Sequence, residues 1–206
     1  MIEIGVNYIE YLKKLKKEDL IKIINDYNKL CDIYKEEKLD NTKAKKDKLV
    51  NDIVNIKDKY LKYLIMSLDL NDYNNLKEVL KKNTTKVLNE HKALINYLKD
   101  KYVIFQEDNL VIPNDLNYKA CFKNKEITNY VKKWSRIYDL VNGMIIAYGV
   151  ISEDYFSFVT SGIENNEEIL PKLDFYYKKE YIIDDTKIVS TKLSNKKRIN
   201  KYFKDN

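Results

Sequence analysis

Apolar residues fall at helical spacing through most of the chain. Leu20, Ile23, Ile24, Tyr27, Leu30, Cys31 and Tyr34 follow the i, i+3, i+4, i+7 rule and predict a first helix. Glu18 and Asp19 sit in its first turn, where the helix dipole favours acids. A polar stretch covers 35–43. A second helix begins near Ala44, with Leu49, Ile53, Ile56, Tyr60 and Leu64 as its stripe. Another runs from about Leu68 to Lys82. Asn83-Thr84-Thr85 punctuates, Thr84 or Thr85 serving as N-cap of a helix that carries Val87, Leu88, Leu94, Ile95 and Leu98.

The period then changes. Tyr102-Val103-Ile104-Phe105 and Leu110-Val111-Ile112-Pro113 flank the polar turn 106–109 and predict a hairpin, with Pro113 suiting an edge strand. The strongest helix follows. Ile127, Val131, Trp134, Tyr138, Val141, Ile145 and Tyr148 alternate steps of four and three, and Gly149 ends it as C′ residue. That stripe places Trp134 in the core. Ser152 caps the next helix and Gly162 ends it; a third spans about 167–179. Residues 181–183 and 186–190 predict a second hairpin. Helices followed by a hairpin, twice over, is a winged-helix plan. The expected fold class is mostly α with short β-hairpins. A helical module spans 1–66, winged-helix-like modules span 67–120 and 121–192, and a tail spans 193–206.

Composition narrows the picture. Four Gly and two Pro are too few for a sandwich or barrel. The abundance of Lys, Asn, Tyr and Ile matches AT-rich coding DNA, as in low-GC bacteria and their phages. The longest uncharged apolar run, 140–151, is too short to span a bilayer, so no membrane is expected. The acidic start is unlike a secretory leader. Cys31 and Cys121, far apart, are expected to be reduced core residues, which with the start points to a cytoplasmic protein.

Catalytic machinery is missing from the pattern. His91 is the single histidine, and neither cysteine has a near partner, which excludes a structural zinc site. Nothing singles out a set of carboxylates for magnesium. There is no Gly-x-Ser-x-Gly elbow, no Walker loop and no dinucleotide fingerprint. The expectation is a non-enzymatic protein with no cofactor, no metal and no catalytic residue.

The basic excess lies at the ends. Residues 1–66 hold 15 Lys against 12 acids, and residues 193–206 hold five Lys or Arg against one. The helix after Thr85 has Lys86, Asn89, Lys92, Asn96 and Lys99, a pattern friendly to phosphates. The third helix of the last module opens on Glu167-Glu168, which repels them. Leu15-Lys16-Lys17-Glu18-Asp19-Leu20-Ile21-Lys22-Ile23-Ile24, followed by Lys45-Lys46-Asp47-Lys48-Leu49-Val50-Asn51-Asp52-Ile53, resembles the helix–extended loop–helix pattern of SAP-like domains and of the N-terminal domain of the Rho terminator. Those families bind DNA or RNA. The resemblance implies binding through the start of the second helix, here Lys43, Lys45, Lys46 and Lys48. The tail adds Lys196, Lys197, Arg198 and Lys201 beside Tyr202 and Phe203. The expected function is nucleic-acid-associated regulation, with DNA or RNA held by the terminal basic segments. The alternative is a protein-binding module or inhibitor from a phage or mobile element, docking on a host protein or nucleoprotein complex. The first requires a basic stripe joining 43–48 to the tail. The second requires an exposed apolar or Tyr-rich patch.

Overall fold

The computed structural model describes residues 2–39, 43–82, 84–161, 166–178, 181–184 and 187–191. The chain folds as two units, Met1–Lys132 and Lys133–Asn206. The first carries β1 (Ile2–Gly5), α1 (Tyr8–Lys14), α2 (Lys17–Tyr34), α3 (Lys46–Met66), α4 (Leu70–Lys82), α5 (Thr85–Glu90), α6 (Lys92–Asp100), β2 (Phe105–Gln106), β3 (Leu110–Pro113) and α7 (Tyr118–Lys123). α8 (Lys125–Tyr148) crosses the division. The second unit then adds β4 (Val150–Ser152), α9 (Glu153–Thr160), α10 (Asn166–Phe175), β5 (Tyr181–Asp184) and β6 (Lys187–Ser190). The protein is mostly α, with two three-stranded sheets among the described residues.

In unit 1, α2 and α3 form the core by burying the stripes that periodicity singles out. Leu20, Ile23, Leu30, Leu49, Ile53 and Leu64 are all fully buried. Tyrosines stitch the pair together: Tyr34 stacks on Tyr63 at 4.4 Å, and Tyr27 meets Tyr60 edge-on at 6.4 Å. The α6–β2 connection is tied to the same core. Lys101 Nζ donates to Asp26 at 2.9 Å, and Tyr102 Oη donates to Asp19 at 2.7 Å. Tyr102 is left-handed (φ 56°), a conformation that costs a non-glycine residue about 1–2 kcal/mol. The bonds from Tyr102 N–H to the Lys99 carbonyl and from Val103 N–H to the Leu98 carbonyl hold it there. Burial, then the bond to Asp19, pushes the Tyr102 phenol up to about 12, so it stays a neutral donor.

The first sheet departs from expectation. Ile2–Gly5 is a strand, paired parallel to β3 with Ile4 opposite Ile112. The order is β1-β3-β2, so β3 is central and the edge placement of Pro113 is corrected. Pro113 is tolerated because it closes the strand. The next N–H, of Asn114, carries the ladder on to the Val6 carbonyl at 3.3 Å. Because β1 pairs with β3, residues 1–66 and 67–120 share one unit. The single helix expected through Val87–Leu98 is two, broken at His91 (φ −111°, ψ 27°). Periodicity hides the break, since 87 and 94, like 88 and 95, lie one heptad apart.

Unit 2 runs helix, strand, helix, helix, then hairpin. Its sheet is antiparallel with order β4-β6-β5, so the first strand pairs with the last. Val141 and Ile145 are buried with Trp134 on α8, and Gly149 ends that helix at φ 74°, as its spacing predicts. Tyr138 stacks on Tyr176 at 4.0 Å. The Lys172 ammonium lies 3.9 Å from the Trp134 ring centroid, a buried cation–π contact. Ser152 caps α9, accepting from Tyr155 N–H at 3.3 Å. Gly162 and the 192–206 tail lie outside the described residues.

Two substitutions test this core. Trp134→Ala removes a 1%-exposed indole and is expected to cost about 3–5 kcal/mol in chemical denaturation followed by circular dichroism. A cost below about 1 kcal/mol contradicts the packing. Tyr8→Phe is expected to do the opposite. The Tyr8 hydroxyl is buried and has no hydrogen-bond partner among the described residues. Removing it is expected to raise stability by about 1 kcal/mol, read as a higher urea midpoint at unchanged slope.

Candidate nucleic-acid interface

The loop between α2 and α3 is held at several points. Lys35 ends α2 in a left-handed turn (φ 53°). Glu36 accepts from Lys59 Nζ at 2.5 Å and from Tyr63 Oη at 2.7 Å; these bonds, the lysine's first, hold its carboxyl below the usual range. Cys31 Sγ donates to the Glu37 carbonyl at 3.3 Å. Asn28 then clasps Leu39: its amide donates to the Leu39 carbonyl and its oxygen accepts the Leu39 N–H, both at 2.9 Å. Residues 35–39 are thus held by side chains of both helices.

At the start of α3, Lys43, Lys45, Lys46 and Lys48 are all exposed. Their surroundings follow from one contact. Lys46 Nζ donates to the Lys13 carbonyl at 2.8 Å, joining the first turn of α3 to the last turn of α1. Lys13 and Lys14, and Lys16 and Lys17 at the start of α2, are exposed beside it in sequence. The fold therefore gathers two lysine runs about 30 residues apart in the chain. Of these, only the second is a contact site expected from sequence. The signal for the first is its charge spacing, 13, 14, 16 and 17, which overlaps the segment that carries the resemblance. Carboxylates temper the patch: Glu10 lies 3.6 Å from Lys13, and Glu107 accepts from Lys14 at 3.0 Å. The Glu107 bond raises the Lys14 ammonium above its ordinary range, keeping it charged. Lys196, Lys197, Arg198 and Lys201 lie outside the described residues, and so does half of the expected basic stripe.

A second polar face of unit 1 is built by α5, α6 and the β2–β3 hairpin. Thr84 caps α5, its hydroxyl accepting from Val87 N–H at 3.4 Å. Leu94, Ile95, Tyr97 and Leu98 anchor α6 in the core. That leaves Lys92, Ala93 and Asn96 exposed and Lys99 half-exposed. A groove of about 250 Å³ lies between helix and hairpin, with Asn89, Lys92, Asn96, Lys99 and Gln106 as its polar lining. Lys99 Nζ donates across it to Gln106 Oε1 at 3.3 Å.

Unit 2 differs in chemistry. The lysine of α10, Lys172, is spent on Trp134 in the interior. Its surface instead exposes Ile146, Tyr148, Tyr155 and Phe158, the last 77% exposed. Tyr148 and Tyr155 meet edge-on at 6.2 Å, and Phe158 follows one helical turn on from Tyr155. In unit 1, an apolar groove of about 500 Å³ beside β1 is lined by Ile2, Ile4, Leu80, Ile112 and Tyr118 among others.

Among the described residues, no group of three or more His, Cys, Asp or Glu is placed to hold a metal ion, and no helix is long and apolar enough to cross a membrane. His91 sits at the α5–α6 break, 4.0 Å from Glu78. Cys31 and Cys121 are free and buried, and burial raises both thiols above their ordinary range. No family model, curated protein or solved structure matches the chain.

The Asn28 clasp is the part of this site most open to test. Asn28→Ala removes two hydrogen bonds and is expected to cost about 1–2 kcal/mol. Faster hydrogen exchange at the Leu39 amide, with the amides of α6 unchanged, is the expected local signature.

Proposed function

We propose that this is a non-enzymatic, cytoplasmic, nucleic-acid-associated regulatory protein that grips DNA or RNA phosphates through the lysines at the start of α3, helped by those at the α1–α2 junction and in the tail. The observation that carries the reading is the Lys46–Lys13 bond. It brings exposed lysines from two runs close together, at the N-terminus of α3, where the helix dipole also favours anions. Two helices, α2 and α3, flanking the clasped segment are in keeping with the SAP-like and Rho-like resemblance. The strand order of unit 2 suits a winged-helix-like module.

A second reading rests on a different surface. Tyr148, Tyr155 and Phe158 present aromatic area of the kind that anchors protein interfaces. It supports a docking module, such as an inhibitor from a phage or mobile element acting on a host protein or nucleoprotein complex.

Titration of labelled duplex and single strand at several salt concentrations separates the two. Under the first reading, changing Lys45, Lys46 and Lys48 together to Ala weakens binding about equally across sequences. It also flattens the salt slope by about 0.7–0.9 for each phosphate that the variant no longer neutralises. All three are exposed, so each change is expected to cost about 0.5 kcal/mol or less in stability. No binding by the intact protein at about 50 mM salt, the condition most generous to phosphate contacts, rejects the first reading in favour of the second.

A further inference from the structure

We infer that α6 reads duplex DNA in the major groove with a preference for A·T base pairs, Asn96 addressing adenine and Ala93 the thymine methyl. The inference rests on the nucleic-acid reading above and adds the substrate class and the reading residues.

The helix has the dimensions and the face for the task. Its nine residues make a rod of about 13.5 Å, and the major groove, about 12 Å wide, admits one helix. Leu94, Ile95, Tyr97 and Leu98 hold it by its inner side, so its outer side is presented on a rigid element. Lys92, Asn96 and Lys99 recur at steps of four and three along that outer side, and Ala93 lies one turn before Asn96. An Asn side chain offers one acceptor and one donor, which match adenine N6 and N7 together. An exposed Ala methyl packs on the thymine C5-methyl. Lys92 and Lys99 flank Asn96 and suit phosphates, which position a protein without conveying sequence. Neither arginine of the chain, Arg136 or Arg198, belongs to this helix, so the guanine contact is open only to its lysines, which are assigned here to phosphates.

The groove beside the helix supports the same assignment. Every polar side chain lining it is an amide or an ammonium, and no carboxylate among the described residues lines it. Carboxylates lie at the ends of the helix and at the hairpin tip instead: Glu90 just before α6, Asp100 at its C-terminal end, and Glu107 and Asp108 at the tip, all exposed. Glu107 is paired with Lys14. With acids at both ends, the middle of α6 is what enters, Ala93 and Asn96 against the base edges and Lys92 and Lys99 towards the phosphates. The major groove of A-form RNA is too deep and narrow to admit a helix, which makes duplex DNA the substrate.

The test uses the full chain with labelled A·T-rich and G·C-rich duplexes of equal length, a single strand and a double-stranded RNA. The A·T-rich duplex is expected to bind tightest. Asn96→Ala, an exposed change to a better helix former, is expected to weaken that binding about 5- to 150-fold while leaving the G·C-rich duplex nearly unaffected. Circular dichroism checks that the variant is folded. Equal affinity for the two duplexes, a preference that survives Asn96→Ala, or tighter binding to single strand or RNA overturns the inference. The broader reading stands in those cases if the Lys45, Lys46 and Lys48 changes still weaken binding. Absence of binding to every probe at about 50 mM salt removes both.

Discussion

Pairing of the first strand with the third is the constraint on which unit 1 depends. It brings Ile2 opposite Leu110 and so closes about a hundred residues into one loop. The entropic cost of closure grows only slowly with loop length, so four residues of ladder, with Ile2, Val111 and Ile112 buried, suffice to hold it. Gly5 makes the approach possible, since a methyl there would collide with the Tyr11 hydroxyl and Val111 Cγ1. From this pair the consequences run outward. Tyr8 N–H reaches Asp115 at 2.7 Å, and Tyr11 stacks on Phe105 at 4.6 Å, which seats α1 against the hairpin. Seated there, α1 offers the Lys13 carbonyl to Lys46. The basic face is thus a product of strand pairing far from it.

The sequence announced some of this and concealed the rest, for physical reasons. Helices with long apolar stripes were legible, because burial of one face imposes the period: α2, α3 and α8 are where the stripes place them. The hairpin of β5 and β6 was legible from its β-branched runs. The strand Ile2–Gly5 was not. Its four residues lack length for a period, and its partner lies over a hundred residues away. The break at His91 was masked by heptad spacing on either side. Of the site, exposure of Lys43, Lys45, Lys46 and Lys48 followed from the polar run they lie in, but their company did not. No local rule foretells that a lysine will bond a carbonyl on another helix. The Asn28–Leu39 clasp was equally invisible, since an Asn in a helix carries no mark of its distant partner.

The two units divide the chemistry between them. Unit 1 carries exposed ammonium and amide groups on rigid helices, a surface suited to polyanions. Unit 2 buries the lysine of α10 and exposes aromatic rings, a surface suited to apolar area on another molecule. A protein that binds nucleic acid with one unit and protein with the other needs no additional domain, so the two functional readings are compatible within one chain.

The burial of Trp134 beneath Lys172 has an optical consequence. The chain has one tryptophan and eighteen tyrosines, and the tryptophan belongs to unit 2. Excited at the red edge of aromatic absorption, where tyrosine is transparent, the protein emits from that indole alone. Its colour is set by an ammonium 3.9 Å from the ring centroid and by the apolar packing that buries it. Unit 2 therefore carries a built-in fluorophore while unit 1 is dark. The melting of unit 2 can be followed by emission in the same unlabelled sample whose far-ultraviolet ellipticity reports the helices of both.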